Sequence, residues 1–174
     1  MITLVNKRLA VLDAMSTVTK STDMEDFMRL SGLTSSEVVA TLKELAQDGF
    51  VVKTKHGFAI AEKGLIALTA LRQLPIENAF HFYSGIDQPL GILARSIKKF
   101  HDVVGTVDSS SLEFHLARGD FENWVRTSVK DDVFANDLLS LGKEGLEGEV
   151  LRKQILLSLL ERFGEDVLLR DWES

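Results

Sequence analysis

The residues best equipped for chemistry crowd into one short stretch, His115, Arg118, Asp120, Glu122, Trp124 and Arg126. A histidine with carboxylates nearby can hold a metal ion or pass a proton, and a guanidinium can grip a carboxylate or phosphate through paired hydrogen bonds. His115, Arg118, Asp120 and Trp124 therefore form a candidate ligand site. The same residues also suit a structural role, with Asp120 capping a helix anchored by Phe121 and Trp124 and His115 hydrogen-bonding at the end of the preceding helix. A single histidine without a second ligand at helical spacing favours the structural role. The four histidines, at 56, 81, 101 and 115, share no metal-binding spacing, and no phosphate-cradling glycine motif is present. Neither a metal, nor a cofactor, nor catalysis is expected.

Two other stretches carry polar groups in a usable pattern. In Ala79 to Tyr83, His81 and Tyr83 alternate with Phe80 and Phe82, so a strand would turn one pair inward and the other outward. A pocket beside that strand could accept a small-molecule effector, with Asp87 or Arg95 lining it. Earlier, Lys53, Lys55 and His56, with Lys63 near them, place positive charge where it could meet a phosphate or a minor groove.

The elements that must position these groups follow from periodicity. Leu4, Leu9, Val11, Leu12 and Met15 describe an amphipathic first helix. Ser21, Thr22 or Asp23 caps a second, carrying Met24, Phe27, Met28 and Leu30 and closed at Gly32. Thr34 and Glu37 make a capping box for a third, buried through Val38, Leu42 and Leu45 and stopped at Gly49. At 100° per residue its outward positions are Ser36, Ala40, Lys43 and Gln47, with Glu37, Thr41 and Glu44 beside them. Phe50 to Thr54 and Phe58 to Glu62 are β-rich around a His56-Gly57 turn, and Gly64 to Leu74 is a further helix ending before Pro75. The second half reads as the Ala79–Tyr83 strand, a turn-rich Ser84 to Gly91, and helices at 96–104, 108–119, 120–129, 131–141 and 149–163. The glycines all fall where turns are wanted.

Composition bounds the class. The chain has 174 residues, 45% of them hydrophobic and 26% charged, enough for two small domains with buried cores. Without cysteine there is no disulfide, thiol nucleophile or common structural zinc site. No apolar run approaches a membrane span and the N-terminus lacks a signal-peptide pattern, so a cytoplasmic protein is expected. The formal charge of −6 is unevenly divided, with residues 1–72 holding 9 Lys and Arg against 8 Asp and Glu. The acidity therefore belongs to the second half, and phosphate affinity to the first.

The run Leu33, Val38, Leu42, Leu45, Asp48-Gly49-Phe50-Val51, Gly57 and Lys63-Gly64 resembles the winged helix-turn-helix of prokaryotic, archaeal-type MarR/ArsR-like transcription regulators. AFHFYSGIDQPLGILARSIKKF, SSSLEFHLARGDFENWV and the closing helix resemble the uncharacterised prokaryotic domain family DUF5752, which implies a mainly helical companion domain with a small strand element and brings no activity with it. The expected architecture is thus mainly α with a small β component: a winged helix-turn-helix domain at 1–74 and a helical domain at 75–174 serving dimerisation or effector sensing. The expected function is a DNA-binding transcriptional regulator that contacts double-stranded DNA through Ser35, Ser36, Lys43, Lys53, Lys55 and His56. Regulators of this kind pair through helices outside the wing unit, and the apolar excess of the last long helix points to a homodimer through the C-terminal helices. Two alternatives stay open: a non-catalytic scaffold whose winged helix docks a protein, and a metal- or ligand-binding enzyme centred on His115 and Asp120. Val39, Ala40 and the two acids equip the reading face poorly for direct base contact, so the wing lysines carry most of the case for DNA.

Overall fold

The computed structural model describes residues 6–17 and 23–172. Leu4, expected in the first helix, and the cap candidates Ser21 and Thr22 lie outside them. The chain is mainly helical with two small antiparallel sheets, and it divides into two compact units. One comprises the residues up to Leu68 together with the segment from Arg170; the other is Thr69–Leu169. The boundary thus falls inside a helix rather than at 74/75, and the end of the chain belongs with its beginning. Among the described residues no helix is long and apolar enough to cross a membrane.

In the first unit, α1 (Lys7–Thr17), α2 (Met24–Ser31) and α3 (Ser35–Gln47) pack on one another. Their apolar stripes, Val11, Leu12 and Met15 with Phe27 and Val38, Leu42 and Leu45, form the core. Asp23 caps α2 by accepting from the Asp26 N–H, and Gly32 closes it at φ 70°. Thr34 and Glu37 make the reciprocal capping box on α3, which satisfies two otherwise unpaired donors of its first turn. Thr41, expected at the side of the outward face, is buried instead.

A hairpin follows, β1 (Val51–Thr54) against β2 (Gly57–Ile60), with Thr54 opposite Gly57. The turn is therefore Lys55-His56, one residue earlier than expected. Neither residue takes positive φ, whereas Gly57 does, at 137°. The conformation that side chains avoid is thus shifted from the turn onto the first residue of β2. In α4 (Glu62–Leu71), Gly64 is no turn glycine. A Cβ there would stand 2.2 Å from the Phe50 carbonyl oxygen and 2.8 Å from Ile60 Cγ1. It is the point where helix and strand backbones meet.

The returning segment completes this unit. Trp172 is buried edge-on against Phe50, with ring centroids 5.1 Å apart. The Arg8 guanidinium lies 4.8 Å from the Trp172 ring. Arg8 and Arg170 both donate to the Asp48 carboxylate. Arg8 above all, through its hydrogen bond, holds the Asp48 carboxyl below the usual range. Lys63, expected near the hairpin tip, is turned the other way, donating to the Asp48 carbonyl and covering the Phe50 ring.

The second unit contains β3 (Phe80–Tyr83) and a strand the sequence did not announce, β4 (Pro89–Ala94). They pair antiparallel through Phe80↔Ala94 and His81↔Leu93, and a bulge separates that register from Tyr83↔Pro89. Around them lie α5 (Ile97–Val104), α6 (Ser109–Arg118), α7 (Asp120–Trp124), α8 (Asp132–Leu141), α9 (Gly148–Phe163) and α10 (Glu165–Leu168). Phe80, Phe82, Phe100, Phe121 and Trp124 form one aromatic cluster. The expected helix 120–129 changes to a π-helical turn over Val125–Val129 and ends at Lys130 with φ 63°. Asp131 caps α8 and pairs with Arg162 of α9 through both oxygens. Leu151, Ile155, Leu159 and Phe163 form the buried stripe of α9.

Candidate functional site

The outer edge of β3 determines the local chemistry of the second unit, since β4 is its one strand partner. On that edge the Tyr83 backbone faces α6 and needs partners other than β4, because a buried amide or carbonyl left unpaired is costly. Ser111 and His115, one helical turn apart on α6, supply them. The Ser111 hydroxyl donates to the Tyr83 carbonyl at 2.6 Å, and His115 Nε2 accepts from the Tyr83 N–H at 2.8 Å. Both side chains are buried, His115 at 3% exposure. Ser111 was not among the expected site residues, although a polar pair four apart on an otherwise apolar helix face is the signal that marks such a clamp.

That bond fixes the imidazole. With Nε2 accepting, the proton sits on Nδ1, which lies 2.9 Å from Asp120 Oδ2. The ring is thus the neutral Nδ1–H tautomer donating to a carboxylate. Burial, outweighing the attraction of Asp120, holds the His115 pKa below its ordinary value of 6.5. Both nitrogens being engaged, neither is offered to a metal ion or to a reacting proton. Among the described residues no group of three or more His, Asp or Glu is placed to hold a metal.

Gly119 folds the chain so that Asp120 returns to His115. It ends α6 in the left-handed conformation at φ 73° and itself precedes α7. Asp120, expected as a cap, makes no capping hydrogen bond. Its Oδ2 accepts instead from His115 and from Arg118 Nε at 3.1 Å. Arg118 lies over the Phe114 ring, 5.0 Å from its centroid.

These groups border an open cavity of about 370 Å³ lined by Phe80, His81, Tyr83, Phe114, His115, Arg118 and Asp120, and flanked by the turn through Gly85, Ile86 and Asp87. Three of the four expected ligand-site residues thus meet at one cavity. Trp124 does not: its indole N–H donates to the Asn78 carbonyl at 2.8 Å and its ring packs in the aromatic cluster. Asp87 lines the cavity as expected of an effector pocket, whereas Arg95 donates to the Leu74 carbonyl. Phe114 and Ile86 complete the lining and carried no sequence signal beyond being apolar.

The other candidate is the outward surface of α3 and the hairpin. Ser35, Ser36, Lys43, Lys53, Lys55 and His56 are all exposed. Ser36 Oγ lies 3.3 Å from Thr34 Oγ1, within the cap. Glu37 is drawn out of opposition to the lysines: it accepts from the Thr34 N–H and hydroxyl at 2.9 Å and pairs with Lys7 at 2.9 Å. The Thr34 N–H foremost, then Lys7, lowers its pKa to about 2. Glu44 stays exposed on the same helix. Comparison of the chain with protein-family models, with curated proteins and with solved structures finds no match.

Proposed function

We propose that the first unit is a winged helix-turn-helix that binds double-stranded DNA, and that the chain is a non-catalytic transcriptional regulator acting as a homodimer. The observation that carries this reading is the exposure of Lys43, Lys53, Lys55 and His56 on α3, β1 and the hairpin turn while Glu37 is folded back into its cap and Lys7. Phosphate contact needs cations free of local carboxylates, and withdrawing an acid from the same face favours it. Ser35 and Ser36 at the N-terminal end of α3 add hydroxyl and amide donors where a phosphate is best received. With Ala40 and Val39 at the middle of the helix, affinity comes from the backbone of the duplex more than from base edges.

The test is a fluorescence-anisotropy titration of a generic duplex across a range of salt. Wild-type protein should bind with a steep salt dependence, and Lys53→Glu with Lys55→Glu should weaken binding and reduce the slope of log K against log salt by about 2, one for each phosphate that a lysine no longer neutralises. Unchanged binding in the double variant would remove the hairpin as the phosphate-binding element.

A second reading, a scaffold whose winged helix docks a protein, is favoured by Val39 and Val52, which are 39% and 49% exposed on the same two elements. Binding of no duplex at low salt by the wild type would favour it. Catalysis at His115 and Asp120 has the least support, since both imidazole nitrogens are engaged within the fold.

A further inference from the structure

We propose that the cavity between β3, the turn at 85–87 and the end of α6 binds a small organic cation, an ammonium group carried on an aromatic or branched apolar body. Its volume of about 370 Å³ is at the low end of the roughly 300–1,000 Å³ of small-molecule sites, which limits the ligand to a compact one.

Charge selects the sign. The lining brings one guanidinium, Arg118, against two carboxylates, Asp87 and Asp120, and two histidines, His81 and His115, the latter with its tautomer fixed as neutral. Arg118 and Asp120 are paired with each other at 3.1 Å. The Asp87 carboxylate is left as the uncompensated charge of the lining, and a ligand cation would balance it. A ligand anion would gain Arg118 but face both carboxylates.

Hydrogen-bond capacity points the same way. Asp120 Oδ2 already accepts from His115 and Arg118, while Oδ1 and both oxygens of Asp87 keep their acceptor capacity. An ammonium carries three donors and no acceptor, which matches them. The remaining walls are the rings of Phe80 and Tyr83 with the Ile86 side chain, and the Phe114 ring, over which Arg118 already lies. Aromatic faces attract a cation and pack an apolar body at once. His115 works here as a positioning residue: by donating to Oδ2 it holds Asp120 at the border of the cavity.

The experiment is calorimetry and thermal shift on the full chain with three probes of one shape: 2-phenylethylammonium, 2-phenylethanol and 3-phenylpropanoate. The ammonium should bind saturably, tightest of the three, and raise the melting temperature. Asp87→Asn should weaken its binding about tenfold or more, the scale of a single charge pair. Asp87 sits at φ 58° on an exposed turn, a conformation asparagine adopts as readily, so the melting temperature of the unliganded variant should match wild type. Equal or tighter binding of the carboxylate or the alcohol would overturn the proposal. So would no saturable binding of the ammonium at millimolar concentration, or unaltered binding by Asp87→Asn. The cavity lies wholly within Thr69–Leu169, so its occupancy stands or falls without reference to DNA.

Discussion

His115 takes the place of a missing strand partner. Its Nε2 receives the Tyr83 amide on the edge of β3 that has no neighbouring strand, and that role requires the ring to be neutral. Because burial lowers the folded-state pKa, the unfolded chain takes up the proton first as the pH falls. The stability contributed by the neutral ring is complete above the ordinary value of 6.5 and is lost as the pH drops below it. Wild-type protein should therefore show a falling melting temperature between about pH 7.5 and 5.5, measured by circular dichroism. His115→Gln, whose side-chain oxygen can accept from the Tyr83 N–H without titrating, should show a flatter profile over that range. The sequence displayed His115, Arg118 and Asp120 as a cluster, and they do converge. What it could not display was their partner, because a backbone amide on an unpaired strand edge has no residue type to mark it.

At the scale of elements, α4 and the hairpin are joined through the absence of a side chain. Gly64 lets the first turn of α4 approach the Phe50 carbonyl, and a methyl group there would overlap backbone that cannot rotate aside. Alanine would gain about 1 kcal/mol of helix propensity, but overpacking of this kind costs about 1–3 kcal/mol, with backbone clashes at the upper end. Gly64→Ala should thus lower the melting temperature by roughly 3–8 °C, whereas a rise would show that strand and helix separate easily. Capping was readable at Asp23 and Thr34, which accept helix-start N–H groups as expected, and Ser96, Asp108 and Asp131 do the same at helices of which the start alone was read. Strand β4 was the least readable. Pro89 and Gly91 signal a turn, and β4 is paired on one edge alone, so neither a hydrophobic run nor strict alternation had to be present.

At the scale of the whole molecule, the surplus of apolar residues in α9 is the feature that points to self-association. Leu151, Ile155, Leu159 and Phe163 are used inside the second unit. Val150 and Leu157, seven apart and hence on one face, remain 58% and 41% exposed. If the homodimer proposed above forms through this face, light scattering should give twice the chain mass for wild type, and Val150→Lys with Leu157→Lys should return the monomer mass. A monomeric wild type would remove the dimer. At the end of the chain, Trp172 is buried against Phe50. Its destination was not legible, since the pairing of Arg8 and Arg170 on Asp48 spans almost the full length of the chain.

The sequence by itself determined most of the helices, the caps at Asp23 and Thr34 and the presence of the hairpin, because periodicity, capping residues and glycine act over a few residues at a time. Tertiary structure decided which polar groups meet and which are consumed. It turned Lys63 away from the hairpin tip, folded Glu37 into its cap, sent Trp124 into the aromatic cluster and brought Asp87 to the cavity of His115 and Asp120. Those outcomes depend on contacts between groups that the fold brings together, which no local pattern of residue types encodes.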